Sequence, residues 1–113
     1  PRARIINMRR RNFQWMLDSL SDSENAQPLY TCLPADVVPY AFPLLVSEVD
    51  IIFPILKRAG VPLLRWEDID RSTCEISSRY SRELLQFPCH EALTEKDMEW
   101  MIGEIRSALK QVQ

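Results

Sequence analysis

Apolar residues recur with a helical period over the first twenty positions of the chain. Five of them are spaced so that they fall on one face of a helix: Ile6, Phe13, Met16, Leu17 and Leu20. This spacing predicts a helix over roughly residues 3 to 20. The polar segment SDSENAQ that follows contains turn formers and predicts the end of this helix.

The next apolar segment, VVPYAFPLLV (37–46), is typical of a strand but lacks a polar face. One face would carry Val38, Tyr40, Phe42, Leu44 and Val46, and the other Pro39, Ala41, Pro43 and Leu45. Because proline cannot donate to a strand ladder, we predict an edge strand or an irregular pairing. Such an apolar edge needs a cover, so we expect another surface outside this chain to lie against it.

The segment SEVDIIFPILKRAG (47–60) predicts a second helix. Ser47 and Asp50 form a weak capping box, and Gly60 is a good C-terminal stop. Pro54 lies inside the segment, so it must kink the helix or delay its start. VPLLRWE (61–67) follows and alternates as a second strand would.

The remaining third of the chain predicts one more strand and a final helix. RSTCEISSRYSREL indicates a loop with a short helix, and LLQF a third strand that stops at Pro88. Thr94 and Asp97 have the spacing of a capping box. One helical face then carries Met98, Met101, Ile102, Ile105, Leu109 and Val112, whereas Trp100 falls off this stripe.

This order of elements predicts an α+β fold, with a small three-stranded, mostly antiparallel sheet covered by helices and a long N-terminal helix. The 113 residues are 46% hydrophobic and 27% charged, which is the composition of one globular domain. No apolar run reaches the roughly 18 residues that a membrane span needs, and the start does not resemble a signal peptide. We therefore expect a cytoplasmic protein without a membrane partner, and the missing initiator Met suggests a fragment of a longer one.

Charge is concentrated at the start of the chain. The first eleven residues contain five arginines and no acid, whereas the whole chain has a net charge of −2. Such a basic N-terminal segment could contact phosphates. No aromatic or glycine residues are interleaved with the arginines, so we do not expect nucleic acid as a partner. An arginine face that is solvated or paired with acidic neighbours is the more common arrangement.

The residue types that catalysis requires are sparse. Gly60 and Gly103 are the only glycines, which excludes phosphate loops and dinucleotide fingerprints, and no nucleophile elbow is present. The three cysteines and the single His90 lack metal-finger spacing. Cys89 and His90 are adjacent, so in an extended segment they point to opposite sides. Lys57, Lys96 and Lys110 fall on exposed helix positions, so we expect no catalytic, cofactor-binding or metal-binding residue in this chain.

Three segments together carry a resemblance: VPYAFPLLV, then LKRAGVPLLRWE, then LLQFPCHEALTEKDMEWMIGEI. A proline-flanked strand, a helix closed by Gly-Val, a strand and a Pro-x-His turn before LT-x-x-D-M resemble the C-terminal small domain of the DegT/DnrJ/EryC1/StrS aminotransferases. These are fold-type-I pyridoxal-phosphate enzymes, many of which aminate keto-sugars. Arg10, Arg11 and Asn12 resemble the linker helix of that family. The resemblance implies one domain over 1–113, with a linker-type helix at 1–24 and the small domain at 37–113.

The resemblance implies several further features of a parent enzyme. Pyridoxal phosphate would belong to the full-length parent, bound by a large domain that this fragment lacks. The Pro-x-His turn would lie toward the cleft between domains, so His90, Glu91 and Tyr40 are candidates for the substrate cleft. The family usually has Gln after this histidine, where this chain has Glu91. His90 could alternatively hold the turn through hydrogen bonds to the backbone, or it could bind a metal.

Two other classes of protein remain open from the sequence. One is a stand-alone α+β interaction or ligand-sensing module, and the other is a basic-headed regulatory protein. The apolar strand and the opening helix, where Phe13 and Trp15 lie on different sides, also predict a homodimer that pairs through the helix or through Val37–Val46.

Overall fold

A computed structural model describes residues 2–65, 79 and 82–112, and it contains three helices and four strands in this part of the chain. In chain order they are α1 (Arg2–Leu20), β1 (Ala26–Pro28), β2 (Ala41–Val46), α2 (Val49–Ala59), β3 (Leu64–Arg65), β4 (Leu84–Pro88) and α3 (Glu95–Lys110). Among these described residues, no helix combines the length and the apolar character that crossing a membrane requires.

The four strands form one antiparallel sheet in the order β1-β2-β4-β3, which confirms the α+β class. The predicted number of three strands is wrong. The polar segment SDSENAQ predicts a turn, but its last two residues begin β1. The three residues of β1, AQP, are too few to show an alternating pattern. The pairing of Ala26 with Val46 makes β1 a strand, and the sequence around Ala26 does not contain that information.

The prediction that the proline-flanked segment forms an edge strand is also wrong. β2 lies between β1 and β4, with Phe42 opposite Phe87. The carbonyl of Pro43 accepts from the Leu29 amide at 3.0 Å, and the nitrogen of a strand residue points the same way as its carbonyl. The missing donor of Pro43 therefore faces the end of β1, and the ladder between β2 and β4 remains complete.

β2 begins at Ala41, so the prediction that residues 37–40 belong to the strand is wrong. Phe42, Leu44 and Val46 are buried against the helices, and the Phe13 ring meets the Phe42 ring edge-on at 5.1 Å. The expectation that Phe13 and this face of β2 need a cover from outside is therefore wrong, because the chain buries them itself.

Three helices cover the face of the sheet that carries Phe42, Leu44 and Phe87. The predicted stripe of α3 is confirmed for Met98, Met101, Ile102, Ile105 and Leu109, which are all buried. Val112, the last predicted member, lies beyond the helix end and is partly buried. The capping box is confirmed as well, because the Asp97 amide donates to Thr94 Oγ1 at 3.1 Å and the Thr94 amide donates to Asp97 Oδ2 at 2.9 Å. Trp100 lies off the stripe and is 45% exposed.

α2 follows the prediction at its C-terminal end and departs from it at its start. Gly60 has the positive φ of 91° that a left-handed cap requires, and the Val61 amide reaches back to the Leu56 carbonyl. The helix begins after Glu48 without a side-chain cap, so the predicted Ser47 box is wrong. Pro54 lies well inside the helix, so it does not delay the start.

Two predicted elements fall partly outside the described residues. Of the VPLLRWE strand, the structure describes pairing at Leu64 and Arg65, and Trp66 and Glu67 lie outside. Most of the predicted loop and short helix in 71–84 lies outside as well. The third predicted strand corresponds to β4, which includes Pro88 as its last residue.

Candidate functional site

Four consecutive residues of α1, positions 9 to 12, hold the turn after β4 and the loop before β2. Successive helix positions point about 100° apart, so neighbouring side chains can reach different segments. The contacts they make bring the candidate site together.

Arg9 joins two of the three predicted site residues. Its Nε and Nη2 donate to the two carboxylate oxygens of Glu91 at 3.3 and 3.1 Å, which is a two-point ion pair. The guanidinium carbon of Arg9 also lies 5.0 Å from the centre of the Tyr40 ring. The structure thus brings Glu91 and Tyr40, which are distant in sequence, to the same cation.

The same contact fixes the charge of Glu91. The hydrogen bonds that Arg9 donates lower the pKa of the Glu91 carboxyl. The same hydrogen bonds raise the pKa of the Arg9 guanidinium. Glu91 is therefore a carboxylate throughout the neutral range. It presents a fixed negative charge directly after His90.

Asn12 is a fully buried polar residue that anchors the turn. Its Nδ2 donates to the carbonyls of Cys89 and His90 at 3.3 and 3.0 Å, and its Oδ1 accepts from Arg11 Nε and Nη2 at 3.2 and 2.9 Å. Both donors and both lone pairs of the amide are used. A buried polar group is costly without partners, so this network specifies where the turn sits against α1.

Arg10 holds the loop that leads to Tyr40. Its guanidinium donates to the carbonyls of Leu33, Pro34 and Val37 at 3.3, 2.7 and 2.5 Å. Together with Arg9 and Arg11, it shows that three of the five N-terminal arginines bind acceptors within the chain. These contacts favour the paired arginine face over a phosphate-binding head.

Among the described residues, His90 contributes to the turn through the hydrogen bonds of its backbone carbonyl. Its carbonyl accepts from Asn12 Nδ2 and from the Leu93 amide at 3.2 Å. The residue itself is exposed. The imidazole therefore lies at the surface next to Glu91, and a role toward substrate stays a prediction.

The side chain of Cys89, unlike that of His90, faces the protein interior and is fully buried. Burial raises the pKa of its thiol to about 11, so it carries a proton at neutral pH and is not a nucleophile. Within residues 2–65 and 82–112, no group of three or more Cys, His, Asp or Glu side chains is close enough to hold a metal ion.

A cleft of about 770 Å³ opens beside this site. It is lined by the loop between β1 and β2, by Pro43 of β2 and by Leu84 and Gln86 of β4. Tyr40 lines the cleft, whereas His90 and Glu91 are not part of its wall. Tyr40, through its contact with Arg9, connects the cleft to Glu91 and the turn.

Arg9 and the anchoring role of Asn12 were not predicted from the sequence. Asn12 had a detectable signal, because it lies four residues before Met16 and hence on the apolar stripe of α1. A polar residue on a buried stripe requires partners. Arg9 had no comparable signal, since it is one of five arginines and its acidic partner is 82 positions away.

Replacing Glu91 with Gln is expected to change the pH dependence of stability. The folded pKa of Glu91 is lowered, so its stabilising effect is fully present above its unfolded pKa, about 4.3, and is lost as pH falls through the lower folded value. Urea unfolding of the wild-type chain should therefore show a larger loss of stability over this acidic range than Glu91→Gln shows. Glu99→Gln, an exposed glutamate on α3, is the control. A wild-type profile that is parallel to the Glu91→Gln profile would contradict the ion pair.

Comparison with known proteins gives a match at the level of fold. No protein-family model matches the sequence. No curated protein matches it either. Solved structures do: the aminotransferase TlmJ from Streptoalloteichus hindustanus is 22% identical with a TM-score of 0.84, and 96% of this chain and 33% of that chain are covered.

Two further structures agree with this match. DesV from S. venezuelae, in complex with a ketimine intermediate, is 16% identical with a TM-score of 0.81, over 96% of this chain and 33% of that chain. A DegT DnrJ EryC1 StrS aminotransferase from Brucella abortus is 19% identical with a TM-score of 0.74, over 91% of this chain and 31% of that chain. The chain has the fold of the C-terminal part of these enzymes and spans about a third of their length.

Proposed function

We propose that this chain is the C-terminal domain of a pyridoxal-phosphate-dependent aminotransferase. The observation that carries the proposal is the near-complete coverage of this chain, 96%, by one third of an aminotransferase structure at a TM-score of 0.84. A stand-alone module would have no reason to match one end of a much longer enzyme so fully. The activity would belong to the whole enzyme and not to this domain by itself.

The residues of this chain do not fit pyridoxal phosphate as a cofactor of their own. Its three lysines, Lys57, Lys96 and Lys110, are all exposed. An aldehyde cofactor requires a lysine amine whose pKa is lowered by burial or by a nearby cation. Its phosphate requires a glycine-rich or helix-N-terminal cradle, and Gly60 and Gly103 form no such loop. The cofactor would thus be held by the rest of the parent enzyme. One structural neighbour, Spr1654 from Streptococcus pneumoniae, is described in its PLP form.

The domain would contribute one wall of the substrate cleft. Tyr40 is 82% exposed and His90 is exposed, so both side chains are available to a neighbouring ligand. Arg9 keeps Glu91 ionised beside them. A phenol, an imidazole and a carboxylate suit the hydroxyl groups of a keto-sugar, and several structural neighbours are described as sugar aminotransferases. By closing over the substrate, this wall would exclude water from the reacting atoms.

The isolated 113-residue chain is expected neither to retain pyridoxal phosphate nor to transaminate. After incubation with the cofactor and dialysis, its absorbance spectrum should contain no aldimine band. The complete protein encoded by the native gene should retain such a band, and an amino donor should bleach it. A band in the isolated chain that disappears in a Lys57→Ala, Lys96→Ala or Lys110→Ala variant would contradict this prediction.

The alternative is a stand-alone interaction or ligand-sensing module, and the cleft of about 770 Å³ is the observation that favours it. The native gene separates the two functions. Several hundred further codons that include a cofactor lysine support the aminotransferase domain, whereas a start codon near Pro1 supports the module.

A further inference from the structure

The guanidinium of Arg9 is held in place by the turn after β4. Its Nε and Nη2 donate to the two carboxylate oxygens of Glu91. A pair with two hydrogen bonds fixes the plane of a guanidinium as well as its position, because both N–H groups must point at the carboxylate. The side chains of Arg9 and Glu91 are 19% and 31% exposed, so both are shielded from solvent over most of their surface.

Glu91 is itself fixed relative to α1. Asn12, which is completely buried, donates to the carbonyls of Cys89 and His90, the two residues before Glu91. The backbone of the turn therefore sits at a set height along α1. The place of the Arg9 charge follows from this, since the carboxylate that orients it belongs to the same turn.

Tyr40 has a fixed backbone and an exposed ring. It directly precedes β2, and Pro39 before it is buried. The side chain is 82% exposed, so packing does little to select one of its χ1 rotamers. The guanidinium carbon of Arg9 lies over the ring, 5.0 Å from its centre. A cation in this position attracts the negative face of the ring and so favours the rotamer that keeps the ring beside it.

The orientation of the Tyr40 ring affects the shape of two recesses. Tyr40 lines the cleft of about 770 Å³ described above, and it also lines a second recess of about 420 Å³ together with Lys57, Pro62 and Leu63. Rotation of the ring about χ1 moves it from the wall of one recess toward the other. The rotamer therefore determines where the phenol hydroxyl group is presented.

We propose that Glu91 and Arg9 are positioning residues for Tyr40. The carboxylate orients the guanidinium, and the guanidinium holds the ring in one orientation. Glu91 thus acts on Tyr40 through Arg9, and Tyr40 is the ligand-facing end of this series of contacts. The inference assigns roles within the wall of the substrate cleft, and in that respect it rests on the proposed function.

NMR measurement of the three-bond couplings across the Cα–Cβ bond of Tyr40 tests this dependence in the 113-residue chain. In the wild type we expect the couplings of a single χ1 rotamer. Glu91→Gln removes the ion pair, and Arg9→Lys keeps the cation but cannot donate in the two-point geometry. In both variants we expect the couplings of Tyr40 to shift to the averaged values of a side chain that samples several rotamers.

Two controls separate this effect from a general change in the protein. Tyr30 lies on the same loop and is 57% exposed, and its couplings are expected to be the same in all variants. Glu99→Gln removes an exposed carboxylate of α3 and should leave the couplings of Tyr40 unchanged.

The side-chain amide signals of Asn12 report whether the turn is in place, because this amide binds the turn. Averaged Tyr40 couplings with unchanged Asn12 signals support the proposal. If the Asn12 signals of Glu91→Gln move, Arg9→Lys decides, since it alters no residue of the turn. Couplings of Tyr40 that are already averaged in the wild type, or that stay those of one rotamer in Arg9→Lys or in Glu91→Gln, would overturn the proposal.

The orientation of Tyr40 in this chain depends on neither the cofactor nor a larger domain. If the native gene encodes no larger domain, the aminotransferase function fails, and the couplings still show whether Glu91 orients Tyr40. The two failures are therefore distinguishable.

Discussion

Replacing Phe42 with alanine is expected to lower the free energy of unfolding by about 3–5 kcal/mol, the usual range for a buried phenylalanine. Phe42 is completely buried in β2, one of the two inner strands of the sheet. It lies opposite Phe87 in the register and meets the Phe13 ring edge-on. The substitution removes the aromatic contact between sheet and α1 and leaves a cavity that the rigid sheet cannot close.

Urea or thermal unfolding followed by far-UV circular dichroism measures the effect. Tyr30→Ala is the matched control, since it also truncates an aromatic side chain but at a position that is 57% exposed. We expect it to change stability by no more than about 0.5 kcal/mol, as is usual for surface substitutions. Equal effects of the two substitutions would mean that Phe42 does not occupy the buried position described above.

Ile102→Ala is expected to lower the free energy of unfolding by about 2–5 kcal/mol. Ile102 lies on the buried stripe of α3, between Met98 and Ile105, and is 7% exposed. The truncation removes methyl and methylene groups that pack in the core between α3 and the other helices. Water does not make up for the lost contacts, because the side chain is buried among apolar residues.

The matched control is Ile51→Ala, which makes the same chemical change on the exposed side of α2. Ile51 is 49% exposed, so the expected change is at most about 0.5 kcal/mol. Chemical denaturation of both variants under the same conditions gives the comparison. If Ile102→Ala leaves the denaturation midpoint unchanged, the face of α3 that packs in the core is not the one described above.

The sequence determined the helices almost completely, for a local reason. The stripes of α1 and α3 repeat with the period of the helix, so each residue's burial follows from its neighbours three and four positions away. The end of α2 at Gly60 and the start of α3 at Thr94 depend on residues within one turn. Such features need no information from distant segments. The motif resemblance to the C-terminal part of an aminotransferase was likewise readable from the sequence, and the solved structures agree with it at the level of fold.

The sheet required the tertiary structure. β1 consists of three residues and exists because Ala26 pairs with Val46, and β2 is central because β1 and β4 flank it. The prolines by themselves predicted an edge strand or an irregular pairing. A strand is completed by hydrogen bonds to other strands, so its position in a sheet is a property of segments that the chain brings together.

The candidate site divides in the same way. The sequence identified Tyr40, His90 and Glu91 as residues of interest, but it contained no sign that Arg9 joins two of them. Asn12 lies 77 and 78 positions before Cys89 and His90, whose carbonyls it binds. A local pattern determines which face of a helix is apolar, because that depends on helical period alone. Which carbonyl a buried amide meets is decided only when helix and turn pack together, and this contact fixes the geometry of the site.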